Sequence, residues 1–545
     1  MKGAVLTPFD SSGTFLPNVH AGEGGLRRVA VRAAGITTLS QAVALIVQVV
    51  ATVVLARLLE PAAFGIVAMV TTFSLLFSNF GGNGFTEAVT QREQIDHALA
   101  SNLFWINIAI CTLLSIGFAA CGVLLGRLYH DARVVAVTEV MALTIIVTGV
   151  SVIHLALLRR AMRFSLVAVG TILGQVSSVG LSIVLALRGW GYWALVAGAI
   201  ASPLAASIAA WLTCKWIPGW PRRGVGTRAV IRYAMNIYGF FSLNYVTRNL
   251  DNLLAGWLFG PQALGLYKKA YDLASLPFNQ ISTPLTAVAV PTLSRLKDDP
   301  ERHKRYLLRC FSILAFVGLG LAAYLTLAGH DLVRLLLGPK WNETGKIFMF
   351  FGPGIGALFL YGLNGWIHLS IGRSDRYLKW GFVHCGGLAL MLVVSARWGG
   401  KGLAAAWSTY FCLMTIPAIW YAGRPVQFRI RPVLATVWKY VVACLLASGC
   451  SVVVLRWLPL APPAGWTGAA IRLALTTLSF GASYLLLVIV LHWGGAPVYE
   501  ATELLREMLP SALRRKPVID SKDEPATPAL VLRMAQDRRE MQANG

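Results

Sequence analysis

The sequence predicts an all-α polytopic membrane protein of about fourteen transmembrane helices, built as two pseudo-symmetric six-helix bundles plus two C-terminal helices. Three observations predict this class: the composition, the recurrence of long apolar runs, and an internal duplication. Hydrophobic residues make up 56% of the 545-residue chain and charged residues only 13%. Soluble domains carry about 25% charged residues. Roughly half of the usual polar surface is therefore missing, and a bilayer takes its place.

Apolar runs of about twenty residues recur along the whole chain, and each is long enough to cross a hydrocarbon core of about 30 Å. The fourteen predicted spans are 34–56, 64–87, 103–126, 137–158, 165–187, 192–214, 234–258, 270–292, 308–329, 346–368, 378–397, 402–422, 437–458 and 468–491. The eighth and tenth spans are the least uniformly apolar. Most connections are short, so we expect successive helices to be antiparallel neighbours.

The basic residues predict the orientation of the chain, whose formal net charge is +24. With each Lys or Arg assigned to the nearer loop, 34 of the 48 lie on the side of both termini and 13 on the opposite side, while Arg248 lies within a span. Because cytoplasmic loops collect Lys and Arg, both termini are predicted to be cytoplasmic. The charge therefore indicates topology and attraction to anionic membrane lipids rather than binding of nucleic acid.

A nine-residue segment near the start of the chain recurs 200 residues later. Residues 58–66 (LLEPAAFGI) and 258–266 (LFGPQALGL) share four identical positions, and each copy joins the first two helices of a six-helix unit. A second echo pairs residues 191–195 with residues 400–404, at the start of the sixth helix of each unit. Six helices per unit make the repeats parallel, so we expect two bundles that face each other across a central cavity.

The spans and their flanks predict six segments. These are a cytoplasmic N-terminal tail (1–33), an N-terminal six-helix bundle (34–214), a cytoplasmic linker (215–233), a C-terminal six-helix bundle (234–425), two additional transmembrane helices (437–491) and a cytoplasmic tail (493–545). The last segment opens with apolar residues followed by three basic ones at 514–516. That pattern predicts a short amphipathic helix on the cytoplasmic membrane surface.

The sequence contains no common enzymatic motif of the HExxH, GxSxG or GxxxxGK[ST] type. The eight cysteines form no CxxC pair, and His154, His368 and His384 show no metal-ligand spacing. Isolated histidines of this kind are usually packed or hydrogen-bonded side chains. The seventeen Trp residues mostly flank predicted spans, which is typical of interfacial belts. We therefore predict no enzymatic activity, no metal site and no cofactor.

The seventh predicted span contains the strongest polar signal. Asn244, Arg248 and Asp251 fall at i, i+4 and i+7, one stripe of a helix, and Asn252 follows directly. An arginine at mid-bilayer costs about 2.5–3.5 kcal/mol on insertion scales, so its side chain needs a wet cavity or a carboxylate. Two interpretations remain open: Arg248 is a cationic contact for an anionic substrate, or it forms an internal ion pair with Asp251 that fixes helix packing.

Two further polar pairs are candidates for the cavity wall. Lys268 and Asp272 are spaced to pair at i, i+4 where the eighth span opens. The alternative there is snorkelling of the lysine at the membrane surface. Asn83 and Glu87 end the second span. Glu87 is either a protonatable cavity carboxylate or a solvated helix end.

A string of short motifs in a fixed order resembles the polysaccharide transporter family. The motifs are residues 248–254 (RNLDNLL), 264–267 (LGLY), 270–271 (AY), 276–277 (LP), 281–282 (IS), 291–296 (PTLSRL), 298–302 (DDPER), 336–341 (LLGPKW) and 372–375 (GRSD). The resemblance extends over about residues 34–425 and is greatest to the flippases for exopolysaccharide, colanic-acid and O-antigen repeat units. The two tails lie outside it.

This resemblance implies the two-bundle fold shared by multidrug exporters and the peptidoglycan-precursor flippase. It also implies that the chain flips undecaprenyl-pyrophosphate-linked oligosaccharides from the cytoplasmic to the periplasmic leaflet of the bacterial inner membrane. Arg248 would then face the central cavity, near the pyrophosphate or acidic sugars. Membrane lipids, a polysaccharide polymerase and a co-polymerase become candidate partners.

Three other functions are the alternatives. A drug or cation antiporter of the same superfamily should favour cavity carboxylates over cavity arginines, so Arg248 argues against it. A membrane polysaccharide polymerase or ligase needs a large external loop, whereas the predicted external loops have about 15 residues at most. A non-transporting scaffold or receptor requires neither the duplication nor the buried charges.

Overall fold

The structure is a computed structural model. It describes residues 8–10, 13–15, 23–79, 85–91, 95–222, 227–457, 465–495 and 497–499. Within these residues the regular structure is helical, apart from two isolated bridges that pair Phe9 with Phe15 and Thr14 with Asp96. The C-terminal tail from residue 500 onward, with nearly all of the predicted amphipathic helix, lies outside the described residues.

Sixteen α-helices make up the described part of the chain. They are α1 (Glu23–Leu58), α2 (Pro61–Asn79), α3 (Thr86–Gln91), α4 (His97–Ala120), α5 (Gly122–Leu128), α6 (Arg133–Arg160), α7 (Phe164–Leu187), α8 (Tyr192–Cys214), α9 (Thr227–Arg295), α10 (Pro300–Leu337), α11 (Asn342–Tyr361), α12 (Leu363–Ser370), α13 (Ser374–Ser395), α14 (Gly399–Gly423), α15 (Ile430–Trp457) and α16 (Trp466–Leu491).

Eleven stretches of the described residues are long and apolar enough to cross a membrane. One of them, Ser374–Val426, contains both α13 and α14. Helix α9 is not among the eleven, and it contains the polar residues around Arg248 and Lys268. The all-α polytopic class is therefore confirmed, and the chain is a multi-pass membrane protein. The count of fourteen spans and the six segment boundaries stay predictions.

Helix α9 is 69 residues long and consists of two arms that meet at Gly260. The backbone there has φ 75° and ψ −176°, a conformation that only glycine adopts readily. Pro261 follows, and its fixed φ suits the first turn of the next helical segment. The first arm (residues 227–259) and the second arm (residues 261–295) correspond to the seventh and eighth predicted spans.

The helices before and after residue 215 pack mainly among themselves. In the N-terminal bundle, defined here as α1–α8, the main contacts join α7 to α8, α6 to α8, α4 to α6 and α1 to α7. In the C-terminal bundle, defined as α9–α14, α10 packs on α11 and α11 on α14. Helices α15 and α16 pack on each other and on α10. Helix α2 is the main bridge, because it packs against α9.

The two copies of the duplicated segment touch each other at this bridge. A Cβ atom built on Gly65 would lie 1.7 Å from the carbonyl oxygen of Pro261, and one built on Gly265 would lie 1.9 Å from that of Pro61. The contact is reciprocal: each glycine receives the proline carbonyl of the other copy. Only a residue without a side chain allows backbones to approach this closely.

We expect Gly65→Ala to destabilise the protein because the new methyl group overlaps the Pro261 carbonyl. Overpacking of this kind costs about 1–3 kcal/mol, which should lower the melting temperature recorded from tryptophan fluorescence in detergent. Gly180→Ala is the matched control, since Gly180 is also helical and has no heavy atom within 4 Å of a built Cβ. Equal melting temperatures for the two variants would contradict the proposed close contact.

Candidate functional site

Two cavities flank the second arm of α9, and they share no lining residue. The N-terminal cavity has a volume of about 380 Å³ and is walled by α1, α2, α7 and α8. The C-terminal cavity has a volume of about 210 Å³ and is walled by both arms of α9 and by α11–α14. The sequence predicts a central cavity between the two bundles. These two cavities lie on either side of the second arm, and a continuous central cavity stays a prediction.

The two cavities use different faces of the second arm. Residues 268, 269 and 272 line the N-terminal cavity, whereas residues 271, 275, 278 and 279 line the C-terminal cavity. Because successive residues of an α-helix are about 100° apart, these two sets lie on neighbouring faces. The predicted site residues are therefore divided between two cavities.

Arg248 and Asp251 both line the C-terminal cavity. The Arg248 side chain is exposed there, while Asp251 is only 3% exposed. The Asp251 carboxylate accepts hydrogen bonds from the Tyr267 hydroxyl at 2.9 Å and from the Asn252 backbone N–H at 2.8 Å. Among the described residues Arg248 forms no ion pair. The internal Arg248–Asp251 pair that the spacing allowed is thus absent from this part of the chain, and the Arg248 charge is left to the cavity.

Asn252, the next predicted residue of the first arm, lines neither of the two cavities. Asn252 is 2% exposed, and its amide donates to the Asn249 side chain at 3.2 Å. Asn244 belongs to α9, but the structure does not describe its side chain, so its assignment to a cavity stays a prediction. Asn252 therefore contributes to helix packing within the first arm.

The end of the second predicted span lies partly outside the described residues. Helix α2 is described to Asn79, and α3 is described from Thr86 to Gln91. Asn83 lies outside the described residues, and Glu87 is in α3 with an undescribed side chain. The extent of this span and the assignment of Asn83 and Glu87 to a cavity stay predictions.

Lys268 and Asp272 line the N-terminal cavity and form the predicted i, i+4 ion pair at 2.5 Å. Lys269, which the sequence analysis did not select, lines the same cavity. Its ammonium group lies 4.3 Å from the centre of the Phe64 ring, and within the described residues it forms no ion pair, although the Asp272 carboxylate acts on both lysines. The two lysines and Asp272 together leave one net positive charge in this cavity.

One end of the two bundles is joined by a set of polar and aromatic contacts, here called the interbundle seam. It links the α1–α2 turn to residues 335–341. The Arg57 guanidinium donates to the carbonyl groups of Leu335 at 2.8 Å and Leu336 at 3.2 Å. Lys340 pairs with Glu60 at 2.7 Å. By the predicted orientation, the seam lies at the external end of the protein.

A buried aromatic contact completes the interbundle seam. The indole N–H of Trp341 donates to the Ala56 carbonyl at 2.8 Å, and the Trp341 ring packs edge-on against Phe64 at 5.4 Å. Phe64 also lines the N-terminal cavity and carries Lys269 over its ring. The Phe64 side chain therefore connects the cavity cation to the seam.

Aromatic side chains of the C-terminal cavity were also missed. Eight of its twenty lining residues carry an aromatic or imidazole ring; they are Tyr271, Phe278, Tyr361, Tyr377, Trp380, His384, Trp407 and Phe411. From the sequence, the Trp residues are predicted to form interfacial belts and His384 is predicted to be a packed side chain. The sequence did contain a signal for this surface: residues 377, 380, 384 and 388 recur with the 3.6-residue period of an α-helix, so they lie on one helix face.

Comparison with known proteins identifies the family. The profile of a family described as polysaccharide biosynthesis protein matches residues 54–346, more than half of the chain. The chain belongs to this family. The resemblance inferred from the motifs is thereby confirmed, and the transporter character of the relatives agrees with it.

Three curated relatives have low but extended similarity. Succinoglycan biosynthesis transport protein ExoT of Rhizobium meliloti is 23% identical over 53% of this chain and 58% of that protein. Teichuronic acid biosynthesis protein TuaB of Bacillus subtilis is 23% identical over 59% and 67%. Lipopolysaccharide biosynthesis protein WzxC of Escherichia coli is 21% identical over 53% and 59%. The match thus spans less than two thirds of the length of ExoT and WzxC.

Solved structures show the same fold. The lipid II flippase MurJ in an inward closed conformation superposes with a TM-score of 0.67 at 12% identity, over 83% of this chain and 98% of MurJ. An inward-facing multidrug resistance MATE family transporter of the MOP superfamily gives 0.57 at 14% identity, over 70% and 94%. The fold that the resemblance implied, shared by flippases and multidrug exporters, is confirmed.

We expect Trp341→Phe to loosen the interbundle seam, because the hydrogen bond to Ala56 is lost and the smaller phenyl ring fills less of the buried site. A loss of about 1 kcal/mol shifts an equilibrium roughly fivefold. The measurement is labelling of Ala199→Cys, a lining position of the N-terminal cavity, by a membrane-impermeant thiol reagent added outside cells that express a cysteine-free background.

Trp457→Phe provides the control for this experiment, since Trp457 is 82% exposed and far from the seam in sequence. The labelling rate should rise in the Trp341 variant and stay at the parental value in the Trp457 variant. Equal rates in all three proteins would show that the Trp341 hydrogen bond does not hold this end closed.

Proposed function

We propose that this chain is a flippase that moves undecaprenyl-pyrophosphate-linked oligosaccharide units from the cytoplasmic to the periplasmic leaflet of a bacterial inner membrane. The external polymer would be an exopolysaccharide or O-antigen. The observation that carries the proposal is the pair of cavities on neighbouring faces of the second arm of α9, each lined by a cation that forms no ion pair within the described residues. The relatives' names, which refer to succinoglycan, teichuronic acid and lipopolysaccharide biosynthesis, support this substrate class.

The chemistry of such a substrate explains why the cavities must be polar. A glycan hydroxyl that enters hydrocarbon without a partner loses several kcal/mol of hydration. A pyrophosphate is costlier still, because it is charged. Arg248 and Lys269 supply cationic partners, while the polyprenyl chain stays in the lipid. These two side chains are the proposed contacts for phosphate or acidic sugar groups.

Alternating access is the mechanism that suits this architecture. Rocking of two parallel-repeat bundles around a fixed site opens it first to one side and then to the other. The Gly65–Pro261 and Gly265–Pro61 contacts adjoin the interbundle seam, since Pro61 and Gly65 flank Phe64, and with the seam they hold this end of the bundles together. The interbundle seam is the proposed external gate, and it is closed in this structure.

The cavity charges favour this proposal over an organic-cation antiporter. An antiporter for cations needs a free carboxylate facing its substrate. Here Asp251 accepts two hydrogen bonds and Asp272 pairs with Lys268, whereas Arg248 and Lys269 form no ion pair within the described residues. Three basic and two acidic side chains line the two cavities, so together the cavities carry one net positive charge, which favours an anion over a cation.

A polymerase or ligase would need an external segment large enough to carry catalytic groups. The described connections at the predicted external end include short turns between α1 and α2, between α5 and α6, and between α7 and α8. We therefore infer a transporter without enzymatic activity and without a cofactor. A polymerase and a co-polymerase are proposed partners, and both termini are proposed to face the cytoplasm.

Deletion of the gene should cause the lipid-linked repeat unit to accumulate in the cytoplasmic leaflet and external polymer to disappear. Arg248→Ala should restore less than about a tenth of the polymer that the wild-type chain restores, because one charge-assisted contact is worth about 1.5–3 kcal/mol. Arg248→Lys should restore an intermediate amount, since it keeps the charge but loses the planar donor fork.

Arg188→Ala is the control, because Arg188 is exposed in the turn between α7 and α8. It should restore polymer to the wild-type level. Polymer is quantified outside the cell and lipid-linked intermediate in the membrane fraction, with protein amounts checked by immunoblot. Normal external polymer in the deletion strain would refute the proposed function.

A further inference from the structure

The C-terminal cavity differs from its neighbour in the chemistry of its walls. Eight of its twenty lining residues carry a ring. Of the described residues that line the N-terminal cavity, only Phe64 is aromatic, and the rest are small, aliphatic, hydroxyl, amide or charged side chains. The two cavities arise from duplicated units, so this asymmetry indicates that they bind different parts of a ligand.

The rings of the C-terminal cavity are held in place by partners behind them. The Trp380 indole N–H donates to the Tyr361 hydroxyl at 2.9 Å, and the Trp380 ring stacks on Tyr421 at 5.4 Å. Trp407 packs edge-on against Tyr271 at 5.7 Å. Flat apolar faces fixed in this way form a preorganised surface, so little side-chain entropy is lost when a ligand binds.

Planar polar groups lie among these rings. Arg248 and Asn279 are exposed in the cavity wall. Asn364 also lines the cavity and is 1% exposed, and its amide oxygen has no hydrogen-bond partner among the described residues. A buried acceptor left in this state costs about 1–3 kcal/mol. A ligand that donates a hydroxyl to Asn364 would recover that energy.

A sugar ring matches this combination. It has apolar C–H faces that pack on aromatic rings, and hydroxyl groups around its edge that exchange hydrogen bonds with Arg, Asn and Asp side chains. An organic cation would also pack on aromatic rings, but the unpaired Arg248 guanidinium in the same cavity repels it. A bare pyrophosphate would use Arg248 yet gain nothing from the aromatic faces.

We propose that the C-terminal cavity is the glycan-binding site, in which sugar residues of the head group stack on Trp380 and Tyr377 and hydrogen-bond to Arg248 and Asn364. The inference rests on the proposed flippase function and deepens it. The pyrophosphate belongs to the N-terminal cavity, where Lys269 is the cation that forms no ion pair within the described residues. The C-terminal cavity therefore selects the glycan, and the N-terminal cavity accepts any carrier of the same charge.

The test measures binding of the glycan and of the lipid carrier separately, with the purified full-length chain in lipid nanodiscs. One probe is a soluble oligosaccharide released by mild hydrolysis from the polysaccharide that the host exports. The other probe is undecaprenyl pyrophosphate without sugar. Saturation-transfer NMR measures binding of the first, and native mass spectrometry measures binding of the second.

We expect Trp380→Ala to weaken oligosaccharide binding about tenfold or more, which corresponds to about 1.4 kcal/mol, and to leave binding of the bare carrier within about twofold of wild type. Lys269→Met should do the reverse. Trp438→Ala is the matched control, because Trp438 is 51% exposed on α15, away from both cavities. It should change neither affinity.

Asn364→Leu is a second variant in case Trp380→Ala fails to fold. It removes the polar amide and keeps the same branched side-chain shape. It should reproduce the selective loss of oligosaccharide binding, with melting temperatures recorded for every variant. The inference is overturned if Trp380→Ala and Asn364→Leu leave oligosaccharide binding unchanged, or if they weaken both probes equally. Failure of the flippase proposal appears separately, as normal external polymer in the deletion strain.

Discussion

The close approach of α2 to the second arm of α9 is the contact on which the functional architecture depends. Gly65 and Gly265 bring two backbones together where any side chain would overlap a carbonyl group. The kink at Gly260 directs the second arm into this contact. Because the arm is fixed there, its successive faces are presented to two different cavities. One backbone contact therefore determines which residues become cavity residues.

The charges of this region divide into two groups. Lys268 with Asp272, and Asp251 with Tyr267, satisfy each other within the protein. Arg248 and Lys269 form no ion pair in the described chain, although an uncompensated cation at membrane depth is costly. Pairing within the protein accounts for the burial of the first group of charges. It does not account for the presence of Arg248 and Lys269. The distinction makes Arg248 and Lys269 the residues most directly tied to an anionic ligand.

Periodicity and composition were sufficient for most of the fold. Long apolar runs identified most of the helices, and the repeated segment marked the junction between the two arms of α9. The contact of that junction with α2 was not predicted, because it joins residues 200 positions apart in the chain. Partners of Asp251 were also missed. Spacing places Arg248 within reach of Asp251 on the same helix, but Tyr267 comes from the other arm, and such a tertiary contact has no local sequence signal.

The aromatic stripe of α13 was readable as a helix face, yet periodicity does not say whether a face meets lipid or a cavity.

A shared fold does not determine what is carried, since this one occurs in a lipid flippase and in multidrug transporters. Specificity must come from the groups that line the cavities. A multidrug site needs adaptable apolar walls and a free carboxylate, whereas an amphiphile with an anionic linker and a polar glycan needs fixed cations and flat ring faces. In this chain the cation and the ring faces lie on different sides of the second arm of α9. One face of the arm carries Lys269 beside Phe64, and the neighbouring face adjoins the aromatic wall of α13 and α14. The proposed selectivity for a glycan therefore rests on the different linings of the two cavities rather than on the common fold.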